Sequence, residues 1–434
     1  MLMPCAQRPN LMAISHASPT RLDQTTGDQG TREITPPIRY MGTKRLIAPI
    51  VSEIIREHCP STLRVADLFA GLGSVTTQLA PTHSVAFNDS QQFTGPLARA
   101  RFLNSPHLDR DLIVSKLRPL FDQALVELHR TFGARVKVES DVFSKGVGAV
   151  RDYLTMAPYV GNCPDFCRAA IEASQARGTN HYLLTTLYFS AGYFSTQQAM
   201  ELDALRYSID HFAGYKDRLL AAWLAAASAV INAPGHTAQY LKPSEPAAFA
   251  RVNRQWKRSV WKAFISKLDS LQPVGTTEWR TRNSTHHADA LAALSDPRLS
   301  DVGLVYADPP YTRDQYSRYY HVYETLFLYD YPKVEGRGRY RINRFRSAYS
   351  ISGQVLHAFR SLLKAVAESD RLLILSYPTN GLLIRRGYDL EDLLDTYFVT
   401  KSKLVFPWRH SSLGAARGAR FVEAHEQILL CAPR

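Results

Sequence analysis

The sequence predicts an α/β protein with a doubly wound, mostly parallel sheet and an inserted, mainly helical region. Three observations predict it. Short apolar strands alternate with helical segments near the start of the chain and again over residues 281–434, which is typical of parallel sheets. Residues 104–280 show helical periodicity instead. The chain has 434 residues, enough for more than one domain with a substantial core.

This pattern divides the chain into four segments. Residues 1–35 are polar and interrupted by prolines, so we predict a disordered leader. Residues 36–103 hold the first half of the core, 104–280 the helical insertion and 281–434 the second half. The elements predicted in the second half are strands at Val302–Ala307, Leu372–Tyr377, Val399–Phe406 and Gln427–Cys431, and a helix near Tyr319–Tyr329.

The first strand, from Arg64, runs into a Gly-x-Gly turn at Gly71 and Gly73 that opens a helix. Such a turn lets the backbone and a helix N-terminus approach a ligand closely. A second strand, Ser84–Asn88, ends at Asp89, and an acid about 20 residues beyond the first strand suits the ribose hydroxyls of a nucleoside cofactor. A tight turn without a ligand is the alternative. The missing third glycine counts against a nicotinamide or flavin enzyme.

Asp308, Pro309, Pro310 and Tyr311 directly follow the apolar run Val302–Ala307. An amino group on a nucleobase is a poor nucleophile because its lone pair is delocalised into the ring. The Asp308 carboxylate and the Pro309 carbonyl would localise that lone pair by accepting the two N–H bonds. The two prolines have fixed φ and no N–H, which stiffens the turn, and Tyr311 offers a face for an extruded base. An ordinary strand exit is the competing interpretation.

Three further blocks frame these motifs. Arg39–Arg45 reads Arg-Tyr-Met-Gly-Thr-Lys-Arg, His287–Ala290 reads His-Ala-Asp-Ala, and Tyr316–Thr325 follows the Asp-Pro-Pro-Tyr string. With them the chain resembles the α group of the D12 class of DNA adenine-N6 methyltransferases, the class of the Dam-like enzymes. The blocks bracket residues 39 to 325 in the order of that family. The middle of the chain is covered only loosely.

The resemblance implies S-adenosylmethionine as methyl donor, a sheet of the S-adenosylmethionine-dependent methyltransferase type, and a target-recognition domain at 104–280. It implies that Asp67 faces the methionine amino group, Asp89 the ribose and Asp289 the adenine amino group of the donor. An N-cap is the ordinary role of an Asp such as Asp289, and lysines and tyrosines are often solvated or packing residues. The other implied donor contacts are Tyr40 and Lys44, at the methionine end, and Phe69, Gly71 and Gly73, which would form the wall and floor.

The resemblance also implies a reaction: site-specific methyl transfer to N6 of a flipped adenine in double-stranded DNA, in a restriction–modification or related bacterial or phage system. A cognate restriction endonuclease is then a candidate partner. Transfer from a sulfonium needs in-line alignment and an enriched lone pair more than a strong base. Three alternatives stay open: N4-methylation of cytosine, a catalytically silent DNA-binding relative, and an RNA substrate. Intact Asp308 and Tyr311 argue against the silent relative.

The chain is basic, with 52 Lys and Arg against 39 Asp and Glu and a formal charge of +13. Such an excess favours polyanions. Three basic stretches, at 251–262, 336–346 and 408–420, are candidate DNA contacts. A solvated basic face is the alternative for each. The contacts predicted in the first two stretches are Arg254, Lys257, Arg258, Arg337, Arg339, Arg341, Arg344 and Arg346.

We assign different roles to these stretches. The position of 336–346, just past the catalytic block, suits a clamp near the flipped base. In the first stretch the charges would track phosphates while Asn253, Arg254 or Gln255 reads base edges. Helix packing is the usual role of aromatic residues such as those in the insertion. The weaker candidates for DNA contact there are Tyr193, Arg206 and His236–Tyr240.

Composition limits the other partners. The sequence has no apolar run of membrane-spanning length and no signal-peptide pattern, so we expect a cytoplasmic protein without a membrane partner. Five dispersed cysteines fit a reducing compartment. His286 and His287 are adjacent rather than at ligand spacing, and Cys163 and Cys167 lack a second ligand pair. We therefore expect no metal site.

Overall fold

The computed structural model describes residues 37–40, 44–176, 182–411 and 421–434, and the side chains of these except at 408–411 and 421–424. The predicted disordered leader at 1–35 therefore lies outside the described residues. So do Met41–Thr43 of the first block and the part of the third basic stretch beyond residue 411.

Seven of the strands in the described residues form one sheet, and two form a short hairpin. The strands are β1 Arg64–Asp67, β2 Val85–Asn88, β3 Ser284–His286, β4 Val302–Ala307, β5 Val334–Glu335, β6 Tyr340–Arg341, β7 Leu372–Pro378, β8 Phe398–Ser411 and β9 Phe421–Pro433. The sheet order is β3-β2-β1-β4-β7-β9-β8. The first five strands of this order, β3, β2, β1, β4 and β7, are parallel to one another. Strand β9 is reversed and pairs antiparallel with β7 and β8.

The described residues also form eighteen α-helices. These are α1 Ala48–His58, α2 Ser74–Leu79, α3 Thr94–Phe102, α4 Arg110–Ser144, α5 Val147–Met156, α6 Pro164–Gln175, α7 Leu184–Phe189, α8 Thr196–Asp210, α9 Lys216–Val230, α10 Pro246–Trp256, α11 Val260–Ser270, α12 Thr277–Thr281, α13 Ala290–Leu294, α14 Tyr316–Tyr319, α15 His321–Leu328, α16 Val355–Glu368, α17 Leu382–Arg385 and α18 Leu390–Asp395. Across the described ranges, none combines the length and apolar character that a bilayer-spanning helix needs.

Both faces of the sheet are covered, as a doubly wound fold requires. Successive residues of a strand point to opposite faces, and β4 shows the consequence. Leu304 and Tyr306 join the core under α1 and α2, whereas Val305 and Ala307 join the core under α13 and α16. Burial on both faces explains why this strand reads as a continuous apolar run. The predicted doubly wound, mostly parallel sheet is confirmed.

The described residues between α3 and β3 form helices and no strand. The helices do not stand apart from the sheet, because α9 lies against α3, α8 and α11. One apolar cluster joins Leu97 of α3, Trp223 of α9 and Tyr320 beside α15. A target-recognition role for this region, and its bounds as a domain, stay predictions.

Arg339 ties the β5–β6 hairpin to this helical region. Its side chain is buried, with 2% of the residue exposed. The guanidinium donates to the carbonyls of Tyr188 at 2.7 Å and Ser190 at 2.8 Å, and it lies 4.5 Å from the ring of Tyr159. The prediction that Arg339 contacts DNA is wrong, because its donors are already used inside the protein.

Replacing Arg339 with Met should lower the free energy of unfolding by about 2–4 kcal/mol, because buried carbonyls lose a charged donor. Arg337→Met is the matched control. Arg337 is exposed two residues away, and its substitution should change stability by less than about 0.5 kcal/mol. Urea titration followed by circular dichroism measures both. Equal losses for the two variants would contradict the role given to Arg339.

Candidate active site

The carboxyl ends of β1, β2 and β4 meet at one edge of the sheet and surround a cleft. Parallel neighbouring strands place the residues that follow them side by side. Asp67 ends β1, Asp89 follows β2 and Asp308 follows β4, and all three line the cleft. The structure also brings other sequence-predicted residues to its walls: Tyr40, Lys44, Phe69, Gly71, Pro309, Pro310 and Tyr311.

The glycine turn forms one wall of the cleft. Gly71 and Gly73 have φ of +55° and +71°, in the left-handed region that favours glycine. A Cβ on Gly73 would lie 2.4 Å from the Phe102 ring. The Gly71 amide donates to Asp89 at 2.8 Å, and the other carboxylate oxygen of Asp89 accepts from the Gln91 amide at 2.8 Å. Asp89 therefore holds the turn in place from the next strand.

Asp67 is buried at the base of the cleft. One carboxylate oxygen accepts from the Thr76 hydroxyl at 2.9 Å, and the other has no hydrogen-bond partner among the described residues. Burial raises the pKa of Asp67 to about 7 against the opposing Thr76 hydrogen bond, and the nearby Asp308 and Asp89 raise it further. A buried acceptor without a donor calls for one from a ligand.

Asp308 shares a buried ammonium with a second carboxylate. Lys44 Nζ lies 2.9 Å from Asp308 Oδ1 and 2.8 Å from Glu426 Oε1. Glu426 is fully buried on β9 and also accepts from the Ser376 hydroxyl at 2.6 Å. When all three are ionised, Lys44, Asp308 and Glu426 together carry a net charge of −1. Burial opposes the charge on Lys44, but the two carboxylates outweigh it and raise the pKa of Lys44.

The same surroundings act on Asp308 itself. Burial raises the pKa of Asp308 to about 6, Lys44 opposes that rise and Glu426 adds to it. Sequence reasoning missed Glu426. The signal that was available is its position directly before the predicted buried strand Gln427–Cys431, since an acid entering a buried strand needs a partner.

Aromatic rings line the side of the cleft beyond Lys44. Tyr40 stacks on Tyr320 with ring centroids 4.3 Å apart, and Lys44 Nζ lies 5.6 Å from the centre of the Tyr311 ring. The Tyr311 carbonyl accepts from the Leu382 amide at 2.8 Å. Tyr311 lines the cleft and is partly buried.

A second, narrower pocket adjoins the cleft and shares Phe69 and Pro310 with it. Asp289 lines this pocket. Its carboxylate accepts from the Leu291 amide at 3.0 Å, which caps α13. The ordinary capping role is therefore present, and the exposed side chain also faces the pocket.

The arginines of 336–346 differ in exposure. Arg341 donates twice to Asp330, each time at 2.6 Å, and Arg344 lies 3.6 Å from Glu335. Only Arg337 and Arg346 of the five are exposed. A clamp of five free arginines is therefore wrong, because Arg339 is buried and two others are ion-paired.

The first basic stretch presents an exposed cationic face. Arg254, Lys257 and Arg258 are exposed along α10 and just past it. Gln255 is turned inward, since its amide donates to the carbonyls of Ala229 at 2.8 Å and Ile231 at 3.0 Å. Base reading by the Gln255 amide N–H bonds is thus a wrong prediction.

Two weaker candidates in the helical region are also buried. The Tyr193 hydroxyl donates to the Thr237 carbonyl at 2.7 Å, and Tyr193 has no exposed surface. Arg206 is 7% exposed and pairs with Asp210. The suggestion that either contacts DNA is wrong, because neither can reach a ligand on the surface. His236 is partly buried and stacks on Tyr319 at 4.8 Å.

Three features indicate the class of protein: the sheet order, the glycine turn and the Asp-Pro-Pro-Tyr string that follows β4. Together they are consistent with an S-adenosylmethionine-dependent methyltransferase fold. Residues 262–371 match the family of D12 class N6 adenine-specific DNA methyltransferases. The match includes Asp308 to Tyr311 and confirms the resemblance. A methyltransferase family implies a methyl donor.

The chain is also similar to individual proteins that are named as methyltransferases or methylases. The chain is 25% identical over 399 residues to the type II methyltransferase M.FokI of Planomicrobium okeanokoites, covering 90% of this chain and 52% of the relative. It is 22% identical to the modification methylase LlaI of Lactococcus lactis subsp. lactis, over 82% of this chain and 48% of the relative. It is 25% identical to the type II methyltransferase M.NlaIII of Neisseria lactamica, over 53% of this chain and 66% of the relative. The chain spans about half the length of the first two relatives.

Replacing Asp67 with Asn should stabilise the ligand-free protein at pH 8. The unfolded carboxyl ionises near pH 4, whereas burial raises the folded pKa to about 7. Ionisation therefore costs the folded state progressively as the pH rises from about 4 to 7, and fully above 7. The free energy of unfolding of the variant should exceed that of the wild type by up to ~4 kcal/mol at pH 8, and by less at pH 5. Unfolding curves at both pH values measure it, with the exposed Asp165→Asn as control. A gain independent of pH would contradict this account.

Proposed function

We propose that the protein transfers a methyl group from S-adenosylmethionine to N6 of an adenine extruded from double-stranded DNA. The observation that carries the proposal is the placement of Asp308: a buried carboxylate at the end of β4, bound to Lys44 and opening into the cleft that holds Asp67 and Asp89. The family description names N6 of adenine, which favours adenine over N4 of cytosine. The names of the relatives, type II methyltransferase and modification methylase, support a restriction–modification system with a cognate endonuclease.

The residues present fit the donor. The unpartnered oxygen of Asp67 would accept from the methionine ammonium, and Asp89 at the glycine turn lies where the ribose would be held. The adjoining pocket beside Phe69 and Asp289 would take the adenine. When bound, the donor supplies a methyl group already activated on a sulfonium. The net negative charge of Lys44, Asp308 and Glu426 favours a cation in this cleft.

The protein's own groups act on the target amine. Asp308 and the Pro309 carbonyl accept its two N–H bonds, which localises the nitrogen lone pair toward the methyl carbon. Tyr311 stacks on the base and fixes its plane. The donor would supply the methyl carbon, with the electron pair of the broken carbon–sulfur bond staying on its sulfur. One of the two protons on the methylated nitrogen then passes to Asp308 or to water.

Replacing Asp308 with Asn should lower the rate of methyl transfer by at least ~10²-fold. The amide side chain has the shape of the carboxylate but lacks its charge, so it is a weaker acceptor for the amine N–H bonds. Transfer of tritiated methyl groups to plasmid DNA measures the rate, and nucleoside analysis of the product identifies the base. Titration calorimetry should show donor binding retained, and Asp165→Asn should behave as wild type in both assays. Activity within threefold of wild type would rule out the role of Asp308. Finding N4-methylcytosine in the product would show that the target base is cytosine and not adenine.

Replacing Glu426 with Gln should move the acid limb of the pH profile of kcat/KM to lower pH. In the wild type kcat/KM should fall as the pH drops through about 6, because Asp308 must be a carboxylate to accept N–H bonds and burial raises its pKa to about 6. Glu426 adds to that rise, and without its charge Lys44 pairs with Asp308 alone. Glu391→Gln, which removes an exposed partner of Lys403, is the control and should leave the limb in place. A limb that moves equally in both variants would show that Glu426 does not act through Lys44.

A further inference from the structure

A groove that contains three arginines adjoins the catalytic turn and takes no part in the chemistry proposed above. It has a volume of about 400 Å³. One side is the chain just after Tyr311, and the other is α17 with the residue that follows it. The lining residues are Thr312, Arg313, Asp314, Leu382, Arg385 and Arg386.

The groove and the catalytic turn are built on the same backbone atoms. The Tyr311 carbonyl accepts from the Leu382 amide at 2.8 Å and from Arg385 Nη2 at 3.3 Å. The amide of the next residue, Leu383, donates to the Tyr377 hydroxyl at 3.0 Å, at the end of β7. The position of α17 is therefore fixed relative to Asp308, three residues before Tyr311.

The groove is strongly cationic. Arg313, Arg385 and Arg386 are all exposed. No ion pair is formed by any of the three within the described part of the chain. Asp314 is an acid that also lines the groove. The groove thus holds an excess of two positive charges on exposed arginines, of which Arg385 also donates to the Tyr311 carbonyl.

We propose that this groove binds a backbone phosphate of the DNA strand whose base enters the cleft. Guanidinium groups match the oxygens of a phosphate in charge and in planar donor geometry. A base that reaches Asp308 stays joined through its sugar to the phosphates on either side, so its strand must run past the mouth of the cleft, where the groove lies. The inference rests on the proposed function, because it takes DNA as the substrate.

Sequence reasoning did not single out these arginines, because Arg313 lies about seventy residues before Arg385 and Arg386 and none stands in a basic run. The fold brings them together through the hydrogen bonds to Tyr311. Of the five arginines in the basic stretch 336–346, only Arg337 and Arg346 are exposed.

The test compares the double variant Arg313→Gln, Arg386→Gln with a control that removes the same charge elsewhere. Arg360 and Lys364 are exposed on α16, outside the groove, and Arg360→Gln, Lys364→Gln is the matched double variant. Fluorescence anisotropy with a labelled random-sequence duplex gives the dissociation constant over a series of chloride concentrations. For the groove variant the log–log slope against salt should fall by roughly one unit, for the one phosphate contact that is lost. The control should keep the wild-type slope.

A second arm replaces chloride by inorganic phosphate at matched ionic strength. Binding to the duplex should be unchanged, because the groove takes a phosphate only as part of a DNA strand. Competition by millimolar phosphate that disappears in the groove variant would show a site for free phosphate and overturn the proposal. An equal slope for the groove and control variants would overturn it as well.

A third arm separates this proposal from the proposed function. With plasmid DNA as substrate, the groove variant should show a raised KM for DNA with little change in kcat, while its thermal unfolding midpoint stays within a few degrees of wild type. A wild-type protein that methylates no DNA would refute the proposed function, and the salt slopes would still decide the groove. A kcat that falls as far as KM rises would place these arginines in the chemical step and overturn their role as a strand contact.

Discussion

The candidate site depends on one buried ammonium. Lys44 lies between Asp308 and Glu426, at 2.9 and 2.8 Å, and so joins the segment before α1 to β4 and to β9. Two buried carboxylates this close together would strongly disfavour each other's charged forms. A single cation between them permits both to ionise, and removing it would leave an uncompensated buried charge. The charge balance at the turn after β4 therefore depends on the reversed strand β9, which carries Glu426.

The residue that fixes the charge balance is remote in sequence from the residue it serves. Glu426 reaches Lys44 across 382 positions of the chain, and it is held by Ser376 on the neighbouring strand. Asp89 shows the same principle in the glycine turn, where it accepts from Gly71. In both cases an acid on one strand positions a loop that follows another. The cleft thus carries several buried carboxyls whose pKa values are raised by burial, and carboxyls of this kind cluster at functional sites.

Much of the site could be predicted from the sequence because its parts are local. Short stretches of sequence determine strand Val302–Ala307 and the left-handed glycines. Parallel pairing then places the carboxyl ends of neighbouring strands at one edge of the sheet. Glu426 and the arginine groove could not be predicted, since each depends on residues that only the folded sheet brings together. Basic runs were the least informative signal. The stretch 336–346 contains five arginines, yet Arg339 is buried and Arg341 is ion-paired, because charge along a sequence does not reveal which side chains the fold turns inward.

The helical region is attached to the site through a shared core rather than through a linker. Tyr320 stacks on Tyr40 in the cleft and belongs to the apolar cluster that includes Trp223 of α9. The Tyr40 ring also lies so near Gly71 that a Cβ there would approach it to 3.2 Å. Close-packed interiors resist such changes in volume. A shift of the helices that moves Tyr320 must therefore be absorbed at the glycine turn or at Tyr40, so the helical region and the cleft are packed against each other through these two rings.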